Sequence, residues 1–428
     1  MKLVRVSIVA FVCLSGFLIL SAAAAEAPKQ GGDETMTRLA KELSESAARL
    51  KANPESPDAA HAAAGRMSEL GGYLARRGQA GDSEKALSYF NGSLELREQL
   101  LKSLPREPRV VRGVSLALNE LGEFLSRRGQ PGDAEKALAS FTRSLELAEG
   151  LYKARPDSSE AARDLGVSLD RLGSFLVRRN GEGDAEKAEG YFARSLEMRE
   201  AFSRANPDSA DGKKDLALAL ERMGSFLATR GGEGDVEKAL EQYKRSMELR
   251  EGLSKAAPDS ADAAREFSVS LEKLGDLLAR HGKPGDAEKT LLLFAQSVVI
   301  REEIMKAHPT SAQAARDLSV GLNKLGDLLA AMGRPGDAEK ALEHFTRDLE
   351  ISEKLMKANP ASVQAARDVV VSRYKLAGIA QRRGDSAEEE KQAKACYEVL
   401  HSRITAGVTF DAPLMEFYET LKLKFAEK

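Results

Sequence analysis

A twelve-residue phrase recurs along this chain at a constant interval. It reads RRGQPGDAEKAL at residues 127–138, and its Gly-Asp pair returns every 51 residues. The aspartates of the six full copies are Asp82, Asp133, Asp184, Asp235, Asp286 and Asp337, and a shortened seventh copy begins at Arg382. Fixed self-similarity of this length is typical of stacked repeats. The chain is therefore predicted to form one repeat array, although its length alone would suggest about two or three globular domains.

Each unit of 51 residues contains two helical patterns. In residues 160–179, Leu165, Leu169 and Leu172 follow one another at steps of four and three, which places them on one face of a helix. Residues 184–205 carry a second apolar face of the same kind. The unit is therefore predicted to be a pair of antiparallel helices.

Turn-forming residues separate the helices. The glycine after the paired arginines can close the first helix in a left-handed conformation, and the following aspartate is predicted to cap the second. Asp157 and Glu160 have the spacing of a capping box, and Pro207 is predicted to end a second helix. No segment matches the G-x-x-x-x-G-K-[ST] pattern, so the phrase is interpreted as a joint between helices and not as a phosphate-binding loop.

Residues of the same type recur at equivalent positions of successive units. The aromatic positions are Phe90, Phe141, Phe192, Tyr243, Phe294 and Phe345. A Leu-Gly or Met-Gly pair begins at Leu70, Leu121, Leu172, Met223, Leu274 and Leu325. Because stacked repeats bring equivalent positions together, these residues are predicted to form the core.

At these positions the chain resembles the tetratricopeptide-repeat family, whose unit has about 34 residues. The fourth unit shows the family pattern as Met223-Gly224, Leu227, Ala239, Tyr243 and Pro258. The resemblance implies an all-α, right-handed superhelical solenoid of antiparallel helix hairpins, here in a long-helix variant of 51 residues. The Trp of the family's first helix is replaced by leucine throughout.

The segments outside the repeats have recognisable patterns. Residues 1–25 are predicted to be a signal peptide, since Lys2 and Arg5 precede a short apolar run and small residues. Residues 26–57 are interpreted as a linker and a leading helix, residues 58–408 as seven hairpins, and residues 409–428 as a capping helix. The chain is thus expected to be exported to the periplasm or secreted, with no transmembrane anchor after cleavage.

Composition and motifs argue against several classes of function. The 64 basic and 66 acidic residues leave a net charge of -2, which does not favour a nucleic-acid partner. The histidines share no ligand spacing, and no zinc, calcium or nucleophile-elbow motif occurs, so neither a metal nor a cofactor nor catalysis is predicted. Cys396 is the one cysteine after residue 25 and is interpreted as a core residue.

The resemblance implies that the first helices line a concave groove that holds a partner segment. The positions two before and two after the conserved leucine would then face the partner. The proposed partner-binding residues are Asn119, Glu123, Asp170, Glu221, Glu272, Asp276, Asn323 and Asp327. Because this set is acidic toward its middle, it favours a partner segment with some positive charge. Stacked arginines at the joints, such as Arg127 and Arg128, leave open a basic edge that binds acidic ligands.

The sequence therefore predicts a non-enzymatic, exported scaffold that binds a protein or peptide of unknown identity along a polar groove. The alternative is a structural envelope protein that self-assembles without a distinct client. The first hypothesis predicts a monomer or weak self-association, so the size of the particle at several concentrations distinguishes the two.

Overall fold

The computed structural model describes residues 33–426 with the exception of residue 361. The predicted signal peptide, residues 1–25, lies outside this part of the chain. The described residues form sixteen helices and no strand, and they divide into two compact units. Unit 1 ends at Phe226 and unit 2 begins at Leu227.

Unit 1 contains the leading helix and three complete hairpins. Its helices are α1 (Glu34–Ala52), α2 (Pro57–Arg77), α3 (Asp82–Ser103), α4 (Pro108–Arg128), α5 (Asp133–Ala154), α6 (Ser159–Arg179) and α7 (Asp184–Ala205), followed by α8 (Ala210–Arg230), whose last four residues belong to unit 2. Helices α2 and α3, α4 and α5, and α6 and α7 pack as pairs. Each pair also packs on the next one in the unit.

Unit 2 repeats the arrangement. Its helices are α9 (Asp235–Ala256), α10 (Ala261–His281), α11 (Asp286–Ala307), α12 (Ala312–Met332), α13 (Asp337–Ala358), α14 (Val363–Arg382), α15 (Ser386–Thr405) and α16 (Ala412–Phe425). Helices α10 and α11, α12 and α13, and α14 and α15 form the hairpins. The predicted all-α array of antiparallel helical hairpins is confirmed within each unit.

The recurring aromatic residues form the core, as predicted. In the hairpins that lie within one unit, each ring packs against the glycine of the Leu-Gly pair in the first helix. A Cβ atom at Gly122 would lie 2.9 Å from Cζ of Phe141, which is buried completely. Only a residue without a Cβ allows the two helices this approach.

Aromatic rings also connect successive hairpins in unit 1. The Phe90 ring lies 5.2 Å from that of Phe124 in the next hairpin, and Phe141 lies 5.4 Å from Phe175. Tilted pairs at this separation are favourable beyond the area that they bury. The two rings of each pair are 34 positions apart and belong to successive hairpins, so hairpins that follow one another in the sequence are neighbours in the stack, as the repeat predicts.

The helix ends correct two predictions about capping. Serine and not aspartate caps the first helices other than α4, whose N-cap residue is Glu107. Ser158 accepts a hydrogen bond from the amide of Ala161, while Asp157 lies outside the helix. The glycine of the Gly-Asp pair is the N-cap residue of the second helices, as at Gly132 with φ 80°. Proline ends the second helices as predicted, since α7 stops at Ala205, two residues before Pro207.

The joint aspartate has a different role from the predicted one. Asp133 is the first residue of α5 and reaches back across the turn. Its carboxylate accepts hydrogen bonds from Nε and Nη2 of Arg128 at 2.7 and 2.6 Å and from the amide of Gln130 at 3.0 Å. The Arg128 guanidinium holds the pKa of Asp133 below its usual value. The phrase RRGQPGD is thus a turn that is locked by a charged pair.

We expect Asp133→Asn to destabilise unit 1 by about 1.5–3 kcal/mol at neutral pH, the usual contribution of hydrogen bonds to a charged group. Since the pKa of Asp133 is lowered in the folded state, this stabilisation is present above pH 4 or so and is lost as the pH falls further. The difference between the wild type and the variant should therefore shrink below about pH 4. Chemical denaturation of both proteins between pH 3 and pH 7 measures it, and a difference that does not change with pH would contradict the role given to the charge.

The last helices enclose a separate apolar cluster in unit 2. Phe410, Tyr418 and Leu421 pack with the buried Cys396 and Leu400. Burial raises the pKa of the Cys396 thiol to about 12, so this cysteine is a neutral core residue, as interpreted from the sequence. Helix α16 covers the end of the last hairpin through these contacts.

Candidate partner-binding surface

Four of the eight predicted partner-binding residues are buried. Asn119, Asp170, Glu221 and Glu272 are each at most 6% exposed. Asp170 and Glu272 point toward the second helix of their own hairpin, where they contact buried arginines. The prediction that these four residues face a groove is therefore corrected. Of the remaining four, Glu123, Asp276 and Asn323 are partly buried and Asp327 is exposed. Their role in binding a partner remains a prediction.

Two of these buried residues, Asp170 and Glu272, belong to a polar layer inside their hairpins. Asp170 Oδ2 lies 3.0 Å from Nη2 of the buried Arg199, and Glu272 Oε1 lies 2.7 Å from Nη1 of the buried Arg301. Burial raises the pKa of Glu272 despite the neighbouring Arg301, and it raises that of Asp170 in the same way. These acids balance internal arginines, so they no longer favour a positively charged partner.

The accessible face of the first helices keeps one of the two predicted rows, that of Glu123, Asp276 and Asp327, and adds other positions to it. In α2 these are positions 65, 69, 72 and 76, and the equivalent positions recur every 51 residues; we call this face the first-helix stripe. In α4 it consists of Leu116, Glu120, Glu123 and Arg127, and in α12 of Val320, Lys324, Asp327 and Ala331. Steps of four, three and four keep these residues on one side of each helix.

The stripe combines apolar and charged side chains. Leu116 is 39% exposed, Val320 43% and Val371 38%, and they occupy equivalent positions on different first helices. Charged residues of neighbouring repeats pair beside them: Lys375 Nζ lies 2.7 Å from Asp327 Oδ2. An exposed apolar row bordered by paired charges can bury a partner's side chains without leaving isolated charges behind.

In unit 1 an open depression of about 900 Å³ lies over the stripe. It is lined by α1, α2, α3, α4 and α6. The charged residues that line it are Arg38, Arg76, Arg97, Arg127, Arg128 and Arg171 and, with opposite charge, Glu69, Glu120 and Glu123. Six arginines against three glutamates give this surface an excess of positive charge, in contrast to the acidic groove that the sequence predicted.

The joint arginines contribute only partly to such a surface. The second arginine of each pair is held by the joint aspartate, as Arg77 is by Asp82 at 2.6 Å. The first arginine is exposed, as at Arg76, Arg127 and Arg178. Glu123 lies 2.8 Å from Arg127 and 3.3 Å from Arg178, so charges along this edge are also shared between repeats.

The described part of the chain has neither a group of side chains suited to a metal ion nor a helix suited to a membrane. Among residues 33–426, excluding 361, no three His, Cys, Asp or Glu side chains are grouped so that they could hold a metal ion. Within the same residues, no helix has the length and apolar character needed to cross a bilayer.

Comparisons with known proteins give distant similarities, and no family model matches the chain. Protein NCA1 of Arabidopsis thaliana is 27% identical over 155 residues, a match that spans 35% of this chain and 36% of that protein. The chain therefore covers about a third of the length of this curated relative.

Three solved structures show the range of the structural similarities. The nuclear import adaptor Nro1 of S. pombe has a TM-score of 0.43 at 13% identity, covering 72% of this chain and 98% of its own. The C-terminal part of a TPR repeat-containing protein from Cytophaga hutchinsonii has a TM-score of 0.42 at 9% identity, with coverages of 82% and 98%. A TPR protein of Thermus thermophilus has a TM-score of 0.33 at 17% identity, with coverages of 60% and 98%.

The repeated hairpins of this chain support its resemblance to tetratricopeptide-repeat proteins. Two features were not predicted from the sequence, although both recur at the repeat interval. The exposed apolar residues, Leu116 in unit 1 and Val320 in unit 2, stand next to polar positions in the sequence. The buried arginines at 97, 199, 250 and 301 recur on a helix face that is otherwise apolar or small.

Proposed function

We propose that the chain is an exported, non-enzymatic member of the tetratricopeptide-repeat family that binds a partner protein or peptide along its first-helix stripes. The observation that carries the proposal is the exposed apolar pair Val320 and Val371, at equivalent positions of successive hairpins in unit 2, with Leu116 exposed at the equivalent position in unit 1. Side chains at a spacing set by the repeat suit a partner segment that contacts several hairpins in succession. The binding energy is then distributed over many modest contacts.

Export is the second part of the proposal. It rests on the signal-like pattern of residues 1–25, with cleavage after Ala25. N-terminal sequencing of the protein from the periplasmic fraction or the medium should begin at Glu26. Recovery of a chain that begins at Met1 in the cytoplasmic fraction would contradict export and leave the binding proposal in place.

We expect the double variant Val320→Glu and Val371→Glu to bind the partner at least about tenfold more weakly, which corresponds to a loss of about 1.4 kcal/mol. The partner is first identified by affinity capture and then purified, and its affinity is measured by calorimetry. Both valines are exposed, so the charge disturbs the surface and not the core.

Val299→Glu provides the matched control. Val299 is 57% exposed on α11, a second helix, and the same substitution there should change the affinity less than about twofold. If Val299→Glu abolished binding and the stripe variant did not, the partner would bind the second helices and the proposal would be wrong.

The second candidate function is self-assembly without a distinct client. Leu292 and Val299 favour it, since they expose apolar surface on α11 where the equivalent positions of α9 carry Glu241 and Glu248. Sedimentation at several concentrations separates the two candidates. Self-assembly predicts a mass that increases with concentration and that returns to the monomer in the variant Leu292→Glu/Val299→Glu.

A further inference from the structure

A buried arginine recurs at one position of the second helices. Arg97, Arg199, Arg250 and Arg301 occupy it and are each at most 8% exposed. Three of them reach the same place in the following first helix: Nη1 of Arg97 donates to the carbonyl of Gly113 at 3.2 Å, and Arg199 and Arg301 donate to the equivalent carbonyls at 3.1 and 2.6 Å. The position of the guanidinium is therefore set by the repeat.

The partner of this arginine also comes from a fixed position, 29 residues earlier in the sequence. Asp170 pairs with Arg199 and Glu272 with Arg301. In the second and sixth hairpins both positions are uncharged, as Asn119 with Ala148 and Asn323 with Ser352. A buried charge needs an opposite charge. In these hairpins the chain meets the requirement by supplying both the acid and the arginine or by omitting both.

The first hairpin departs from the rule. Position 68 is a serine, whose hydroxyl forms a hydrogen bond of 2.9 Å with that of Ser93. Among the described residues Arg97 therefore has no carboxylate within ion-pair distance. Glu120 acts on it electrostatically from an exposed position. Arg97 is a cation that is only 7% exposed and lacks the acid that its equivalents have.

The space beside Arg97 is open. Both Ser68 and Arg97 line the depression of unit 1, so the region that a carboxylate at position 68 would occupy is accessible from it. Apart from the hydrogen bond of Nη1 to Gly113, the Arg97 guanidinium makes no hydrogen bond with a described residue, and Nε is among the buried atoms without a partner. A group from outside can take the place of the missing acid.

We propose that Arg97 binds a carboxylate side chain of the partner, so that an acidic segment completes the first hairpin from outside. This inference rests on the proposed partner-binding function and specifies the chemistry of the partner. A carboxylate is the matching group because Asp170 and Glu272 fill the equivalent place in other hairpins. The arginine excess of the depression favours the same charge.

The test is the binding of a defined acidic peptide to the purified chain. The probe is a fluorescein-labelled peptide of alternating glutamate and glycine with blocked termini, so that only side chains carry carboxylates. The matched probe has glutamine in place of glutamate. Fluorescence anisotropy at low salt should show binding of the glutamate peptide that falls with added salt, and at least about tenfold weaker binding of the glutamine peptide.

Two substitutions of Ser68 distinguish the site from its surroundings. Ser68→Glu supplies the acid of the other hairpins and should weaken binding of the glutamate peptide at least about tenfold, since Arg97 then pairs within the chain. The glutamine of Ser68→Gln has nearly the size of glutamate but no charge, so this variant should change the affinity for the glutamate peptide less than about threefold. The melting temperature of Ser68→Glu should be equal to or above that of Ser68→Gln, which shows that the loss of binding is not a loss of the fold.

Equal effects of the two Ser68 substitutions, equal binding of the two peptides, or no binding up to about 1 mM peptide would each overturn the proposal. The partner-binding function has a separate test in the Val320 and Val371 variant of unit 2. If that variant weakens partner binding while Ser68→Glu leaves both partner and peptide binding unchanged, the scaffold function stands and the Arg97 site is refuted.

Discussion

Replacing Glu272 by alanine should destabilise unit 2 by about 3–5 kcal/mol, the cost of leaving one member of a buried ion pair alone. Arg301 is 3% exposed, and its Nη1 lies 2.7 Å from Glu272 Oε1. Removing the carboxylate leaves the guanidinium with the hydroxyl of Ser268 and the carbonyl of Asp317 but without an opposite charge. Unfolding by guanidinium chloride, followed by circular dichroism, measures the change.

The next hairpin supplies the control. Asn323 occupies the position equivalent to Glu272, and its neighbour at the arginine position is Ser352. Asn323→Ala should cost about 1.5–3 kcal/mol, less than Glu272→Ala, since it removes a hydrogen bond to the carbonyl of Ser319 and one to the buried carboxyl group of Asp348. Equal losses in the two single variants would show that the charge pair is not what Glu272 contributes.

A double variant tests the pairing rule directly. Glu272→Asn with Arg301→Ala reproduces the Asn119 and Ala148 combination that the second hairpin uses. Since no charge is then buried, this double variant should recover a large part of the stability that Glu272→Ala loses. A double variant less stable than Glu272→Ala would contradict the rule from which the Arg97 site is inferred.

The helical hairpins can be predicted from the sequence because the residues that determine them are close in sequence and recur at regular intervals. Steps of three and four residues set the apolar faces, and glycine, serine and proline end the helices, so the bounds of α6 and α7 follow closely from the pattern. The repeat interval then identifies neighbouring hairpins, such as the two that carry Phe141 and Phe175. The local apolar spacing and the repeat interval can both be found in this one sequence.

The orientation of polar side chains was harder to predict. An acidic column such as Asp170 and Glu272 resembles a solvent-exposed face, because acids are seldom buried. An arginine 29 residues later shows that the acid is buried, because the two side chains form an ion pair inside one hairpin. Recognising this pair from the sequence requires knowing that the two positions meet there. For this reason the buried row of Asn119, Asp170, Glu221 and Glu272 drops out of the candidate surface, while the predicted row of Glu123, Asp276 and Asp327 stays on the first-helix stripe.

The second prediction concerns the stability of unit 2 when the glycine of a Leu-Gly pair is replaced. Gly275→Ala should destabilise unit 2 by about 1–2 kcal/mol, because the added Cβ would lie 2.5 Å from Cε1 of the buried Phe294. A ring packed in the core cannot move aside without disturbing its neighbours. The cost of overpacking, about 1–3 kcal/mol, exceeds the gain of up to about 1 kcal/mol that alanine brings to a helix.

Gly252→Ala measures the gain in stability that alanine brings to a helix when its Cβ has no close contact. Gly252 lies within α9, and a Cβ there would meet nothing within 4 Å. The same substitution should therefore stabilise unit 2 by about 0.5–1 kcal/mol, opposite in sign to Gly275→Ala. Denaturation midpoints of the two variants can be compared under identical conditions.

A background variant tests whether the Phe294 ring causes the loss at Gly275. Phe294→Leu removes the ring edge that the new Cβ would meet, so Gly275→Ala should cost much less in that background than in the wild type. The two changes are coupled only if the close approach of glycine and ring sets the distance between α10 and α11. Additive effects would mean that the distance is set elsewhere in the hairpin, and that the recurrence of glycine opposite an aromatic ring needs another explanation.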